Sequence, residues 1–249
     1  MKINFLYSSS KGNCTVIESD TGTVITIDAG VSYKKIVEAY GEALVPKALF
    51  ITHEHGDHVT GAGILARKSQ CAVFMPKQSY LVKPTIFKKC AILSHIEGGE
   101  QVIVGDLTIT AFSTQHDSKA SVGFIIKEGD KRFAYITDTG SISKLMQVCV
   151  AGCDAYFIEA DYSEELLWKH EDYTVLLKER IASPFGHLSN TQTMEFLNSL
   201  NLDELKWVTV GHLSENTNSP ELVNSLFREY FPSYLDKLHI APQKNYLTL

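Results

Sequence analysis

Three histidines and an aspartate fall within six residues of one another in Thr52-His53-Glu54-His55-Gly56-Asp57-His58, directly after the apolar run Lys47–Ile51. That run reads as a buried strand, so the polar cluster stands at a strand end. A buried imidazole or carboxylate needs a partner, and too many are crowded here to satisfy one another. A shared cation resolves the conflict. Imidazole combined with carboxylate suits zinc, manganese or iron, and the lack of cysteine in the cluster speaks against a structural zinc finger. Gly56, with Gly61 and Gly63 beyond it, is expected to let the backbone turn tightly around the ions.

Short strands and helices alternate around this loop. Strands are expected at Lys2–Tyr7, Cys14–Glu18, Thr23–Ile27 and Cys71–Met75, with helices at Ser32–Gly41 and Val59–Lys68. Gly105-Asp106 and Gly129-Asp130 read as hairpin turns, joining Gln101–Val104 to Leu107–Phe112 and Val122–Lys127 to Arg132–Thr137. Beyond them, helices are expected at Ser143–Val150, Tyr173–Ile181 and Pro220–Tyr230, and from the capping box Ser189-Asn190-Thr191-Gln192 to Asn201. Ala155–Ile158, Lys206–Val210, Lys237–Ala241 and Asn245–Leu249 read as strands. Two strand-rich halves, each with helices, predict an α/β fold of two packed sheets with helices outside. No linker or low-complexity run divides the chain, so residues 1–249 are read as one domain.

Composition narrows the class. With 44% hydrophobic residues the chain has material for a real core. No apolar run approaches a membrane span, and the first residues read as a strand rather than a signal peptide, so a soluble cytoplasmic protein is expected. The five cysteines are scattered without a Cys-x-x-Cys pair, which predicts buried thiols rather than a disulfide framework. A net charge of −6 argues against polyanion binding through a basic face. It leaves room for a nucleic-acid substrate held by metal ions and a few local lysines. Arg67-Lys68, Lys83 and Lys88-Lys89 are read as solvated surface.

His-x-His-x-Asp-His after a short strand resembles the signature of the metallo-β-lactamase fold superfamily. Further matches follow in order: Asp28 in Ile27-Asp28-Ala29-Gly30, His116 in Thr114-Gln115-His116-Asp117, Asp138 in Ile136-Thr137-Asp138, and His212 after Lys206–Val210. The resemblance implies an αββα sandwich and two divalent ions per chain, zinc or manganese. It implies that His53, His55 and His116 hold one ion and Asp57, His58 and His212 the other. Asp138 would bridge the two, and Asp28 would orient the loop from outside. His55 stands where flavin-linked di-iron members carry glutamate, which favours hydrolysis over oxygen or NO reduction.

Ser8-Ser9-Ser10-Lys11-Gly12-Asn13-Cys14, Glu159, and the recurrence of Gly186-His187-Leu188-Ser189 as Gly211-His212-Leu213-Ser214 resemble the YycJ (WalJ) group of bacterial nucleases. That group is related to RNase Z and the β-CASP nucleases. The stretch between Asp138 and His187 is too short for a β-CASP insertion. The resemblance implies a DNA exonuclease working from a 5′ end, with DNA favoured over RNA.

Two ions about 3.5–4 Å apart would clamp the attacking and leaving oxygens of a phosphodiester, and a water between them would fall in pKa toward about 7, giving a bridging hydroxide nucleophile. His187, paired with Glu159, is the candidate acid for the leaving oxygen, with Asp57 beside the nucleophile. The last ligand is His212 or, with the roles reversed, His187. Competing readings are hydrolysis of a cyclic phosphodiester, thioester or lactam, and a metal-binding regulatory protein with a vestigial site. The Ser8–Asn13 loop is read as a strand-connecting turn, with phosphate binding by its backbone N–H groups as the alternative. Tyr33, Trp168 and Tyr173 are read as ordinary aromatics, and His95, His170 and His239 receive no role.

Overall fold

The computed structural model describes residues 1–242 and 247–249. Two seven-stranded mixed sheets face each other. The first contains β1 (Lys2–Ser9), β2 (Gly12–Glu18), β3 (Val24–Ile27), β4 (Ala48–Phe50), β5 (Ala72–Met75) and β6 (Ile92–His95), with β14 (Leu247–Thr248) beside β1. The second runs from β7 (Gln101–Val104) through β8 (Leu107–Ser113), β9 (Val122–Glu128), β10 (Lys131–Ile136), β11 (Ala155–Glu159) and β12 (Trp207–Gly211) to β13 (Leu238–Ile240). Each sheet starts with antiparallel hairpins and continues with parallel strands. Parallel neighbours need a crossover, and the helices occupy those crossovers.

Alternation along the central strands builds three apolar layers. Phe5, Ile27, Phe50, Phe133, Tyr135 and Phe157 point between the sheets. Their sequence neighbours Ala134, Ile136, Tyr156 and Ile158 face outward, beneath Met146, Met194, Val223 and Phe227 of the covering helices. Leu49 and Ile51 do the same on the other sheet, beneath Ile36, Leu65 and Ala66. With both faces covered, β11 and β12 are buried along their whole length. The result is the expected αββα sandwich.

Local signals act as expected at several ends. Ser189 and Gln192 form a reciprocal capping box on the helix Asn190–Asn198, and Pro220 opens the helix Pro220–Tyr230. Both predicted hairpin turns form, with Gly105 and Gly129 at φ of 60° and 58°. The five cysteines are free thiols.

Three local expectations change. The helix expected over Val59–Lys68 is broken into Gly56–Val59 and Ala62–Ser69. Gly61 and Gly63 serve close packing rather than a turn around an ion: a Cβ would lie 2.1 Å from the Val31 carbonyl oxygen at Gly61 and 1.9 Å from that of Ile86 at Gly63. Strand β6 and the helices Lys77–Val82 and Glu164–Lys169 were not expected. At the other end, 245–246 of the expected strand Asn245–Leu249 lie outside the described residues, while Leu247–Thr248 pairs with β1.

Candidate metal centre

The candidate residues converge at one edge of the sandwich, just beyond the C-terminal ends of β3, β4, β8, β10, β11 and β12. Asp28, Asp138 and His212 all have left-handed backbones there, with φ of 57°, 52° and 53°. Each such residue costs about 1–2 kcal/mol, so their gathering at one edge marks strain held by the surrounding packing.

Asp28 anchors the histidine loop. Its buried carboxylate accepts from the Thr52 N–H at 2.9 Å and lies 2.7 Å from Nδ1 of His58. The Thr52 hydroxyl lies 3.1 Å and 3.0 Å from the two Asp28 oxygens. Gly30 lets the two segments touch, since a Cβ there would fall 1.4 Å from the Asp57 carbonyl oxygen.

Donor atoms form three groups, with the atoms inside each group within 4.8 Å of one another: His53, His55 and His116; Asp57, His58, Asp138 and His212; and Asp138, Glu159, His187 and His212. Asp138 stands between them. Its Oδ2 is 3.2 Å from His58 Nε2, and its Oδ1 is 3.6 Å from both His116 Nε2 and His212 Nε2. His55 Nδ1 is 3.2 Å from His116 Nε2, and Asp57 Oδ2 is 3.1 Å from His58 Nε2. Among the described residues, His53 Nε2 is buried without a hydrogen-bond partner. An orphaned nitrogen at the centre of a His and Asp donor set is what a bound cation satisfies.

Electrostatics support that fit. Burial, then the charge of His58, pushes the His53 imidazole well below its ordinary pKa, which leaves it neutral and ready to donate a lone pair. Burial also lowers His55, with His116 adding to the effect. His58 goes the other way: burial opposes its charge, but Asp138, Asp57 and Asp28 outweigh burial and raise it well above the ordinary value. Without a metal, a proton on His58 is the positive charge that these carboxylates hold.

His187 lies beside this cluster. Its Nδ1 is 3.0 Å from Oε2 of Glu159 and 3.8 Å from Oδ1 of Asp138. Glu159 is fully buried, and its Oε1 accepts from the N–H groups of Thr139 at 2.6 Å and Leu188 at 3.3 Å. The His187 side chain is 20% exposed, against 1% for His212. Burial opposes the imidazolium, yet Asp161, Glu159 and Asp138 carry His187 up to about 10.

Sequence reasoning missed three supports of this edge. Asp161 is buried and accepts from the Ser10 hydroxyl at 3.3 Å. Glu54, also buried, accepts from the Lys119 N–H at 2.8 Å and ties the histidine loop to the segment after His116. Asn13 reaches both Asp57 and His212. The period of two from Glu159 to Asp161 was a readable signal, whereas Glu54 had none beyond its place in the cluster. Away from the site, Arg67 is bonded to the carbonyls of Ile86 and Lys88, and His170 packs on Tyr173.

The sequence profile of the Beta-lactamase superfamily domain matches residues 23–209. The chain belongs to the β-lactamase superfamily. Within it, exodeoxyribonuclease WalJ of Streptococcus pneumoniae serotype 2 (strain D39) is 35% identical over 236 residues, covering 90% of this chain and 85% of that one. Exodeoxyribonuclease YycJ of Bacillus anthracis is 27% identical over 228 residues, covering 89% and 86%. Zinc-bound PqqB from Methylobacterium extorquens superposes with a TM-score of 0.77 at 16% identity, over 100% of both chains. The protein is thus a hydrolase of the metallo-β-lactamase fold, and its His and Asp groups are of the kind that could hold a divalent metal ion. Among the described residues, no helix is long and apolar enough to cross a membrane.

Proposed function

We propose that this protein is a cytoplasmic, metal-dependent phosphodiester hydrolase, a DNA exonuclease working from a 5′ end, with residues 1–249 acting as one domain. The observation that carries this reading is Asp138 standing between two donor groups with the His187–Glu159 pair alongside. The names of the WalJ and YycJ relatives support the choice of DNA and of exonuclease.

In this reading His53, His55 and His116 would hold one ion and Asp57, His58 and His212 a second, with Asp138 shared between the two groups. The ions would be zinc or manganese, both of which suit histidine and carboxylate ligands. When bound, they supply charge to the phosphate oxygens and activate water for attack. Asp28 keeps the His58 proton on Nδ1, so that Nε2 faces the centre. Asp57 stands beside His58 and fixes one side of the reacting centre. Glu159 holds Nδ1 of His187 and keeps the imidazole charged, ready to give a proton to the leaving oxygen.

Metal-free protein reconstituted separately with zinc and manganese, then assayed on end-labelled single- and double-stranded DNA and RNA, tests the proposal. Metal-dependent release of nucleotides from DNA 5′ ends is expected. Turnover of a thioester or lactam, with no cleavage of any phosphodiester, would overturn it.

The His187–Glu159 pair has its own pH signature. Activity is expected to fall at high pH as His187 loses its proton. Glu159→Gln removes a charge that raises His187, so the alkaline limb of kcat/KM moves to lower pH. A pH–rate profile unchanged in this variant would remove Glu159 from that role.

A further inference from the structure

We infer that Asn13 is a positioning residue for the second ion: it sets the tautomer of His212 and the orientation of Asp57 together. This rests on the ligand set proposed above.

Asn13 lies in the first hairpin, remote in sequence from both residues, and is fully buried. Its Nδ2 lies 3.3 Å from Asp57 Oδ2, 3.4 Å from the Asp57 carbonyl oxygen and 3.2 Å from that of Ser9. Three oxygens on one side identify that side as the amide NH₂, because a flipped amide would set oxygen against oxygen. The same NH₂ lies 3.1 Å from Nε2 of His58. Oδ1 then faces His212 Nδ1 at 3.1 Å and can only accept. His212 must carry its proton on Nδ1, which leaves the lone pair of Nε2 on the Asp138 side, 3.6 Å from Oδ1. An outer carbonyl oxygen fixing an imidazole in this way is a general device for metal ligands. Asp28 does the same for His58 from the opposite side. One amide therefore couples a ligand from the loop after β4, in the first sheet, to a ligand after β12, in the second.

The backbone holds Asn13 in register for this task. Its carbonyl accepts from the Gly30 N–H at 2.8 Å. The His212 N–H donates to the Ser8 hydroxyl at 2.7 Å, and Ser9 forms a bridge with Leu213. The first hairpin is thereby clasped to the end of β12, and the Ser8–Asn13 segment is a ligand support as well as a strand-connecting turn.

The test is competitive zinc titration of the metal-free full chain against a chromophoric chelator, for wild type, Asn13→Ala and Asn13→Leu. Two ions are expected in the wild type. In both variants the affinity for one ion is expected to fall about 10–100-fold, the size typical of losing an outer partner of a ligand. The other ion and the unfolding temperature of the metal-free protein stay close to wild type. Excess zinc restores turnover. Leucine keeps the volume, so a loss in Ala but not in Leu would overturn the hydrogen-bond role in favour of packing.

Equal affinity for both ions in all three proteins would overturn the inference and leave the two-ion reading intact. A single ion in the wild type would instead overturn the two-ion reading. Should the variants not fold, the zinc-loaded wild type decides: ¹H–¹⁵N imidazole spectra are expected to show a downfield, exchange-protected Nδ1–H for His212. A proton on Nε2, or a freely exchanging Nδ1–H, would overturn the role of Asn13.

Discussion

Asp138→Asn is expected to lower phosphodiester turnover by about 10³-fold or more and to reduce the bound metal. Metal ions contribute several kcal/mol to stabilising transition-state charge, and each 1.36 kcal/mol is about tenfold in rate. Asp138 is the carboxylate that meets donor atoms of both groups, at 3.2 Å from His58 and 3.6 Å from His116 and His212. Burial works against its charge, but His212 and His58 outweigh burial and hold it well below the usual carboxylate range. Asparagine has nearly the same shape and tolerates the left-handed backbone at φ of 52°. The substitution thus isolates the charge from the fold. Metal analysis with a nuclease assay checks it, and full metal content with undiminished turnover would contradict the bridging role.

His187→Ala is expected to cost about 10²–10⁴-fold in kcat, the range for general acid catalysis, while both ions are retained. The reason is the pairing of His187 with buried Glu159, which occupies its Nδ1 and favours the charged ring. The loss should be smaller for an aryl phosphodiester, whose phenolate leaves without needing a proton, than for DNA. Parallel assays of the two substrates with metal analysis separate the alternatives. Loss of an ion in His187→Ala would make His187 the last ligand and give the acid role to His212. An equal loss on both substrates with the ions retained would point to positioning instead of proton transfer.

The fold was legible where the signal was local. The capping box at Ser189, the proline at Pro220 and the glycine turns at Gly105 and Gly129 depend on a few adjacent residues, and each forms as read. Edges were less legible. Ile92 in β6 is 53% exposed, so that strand lacks the continuous apolar run that marks β11 and β12. The helix over Val59–Lys68 had a helical pattern, but its break at Gly61 serves a contact with the Val31 carbonyl that no local pattern announces. The same division holds at the site. Asp28, Asp138, Glu159 and His212 stand at strand ends that alternation makes visible, whereas the contacts of Asn13, Glu54 and Asp161 cross between segments distant in sequence.

By itself the sequence determined the donor chemistry and its order. Residue type and position at a strand end are local properties, and the His53–His58 loop carries both within six residues. Only the tertiary structure decided which donors meet. His53, His55, Asp57 and His58 come from the first sheet, while His116, Asp138, Glu159, His187 and His212 come from the second. Their grouping exists only at the edge of the sandwich, where strand ends of the two facing sheets come together. There burial removes water as a partner and leaves charges and lone pairs that a cation or one another must satisfy.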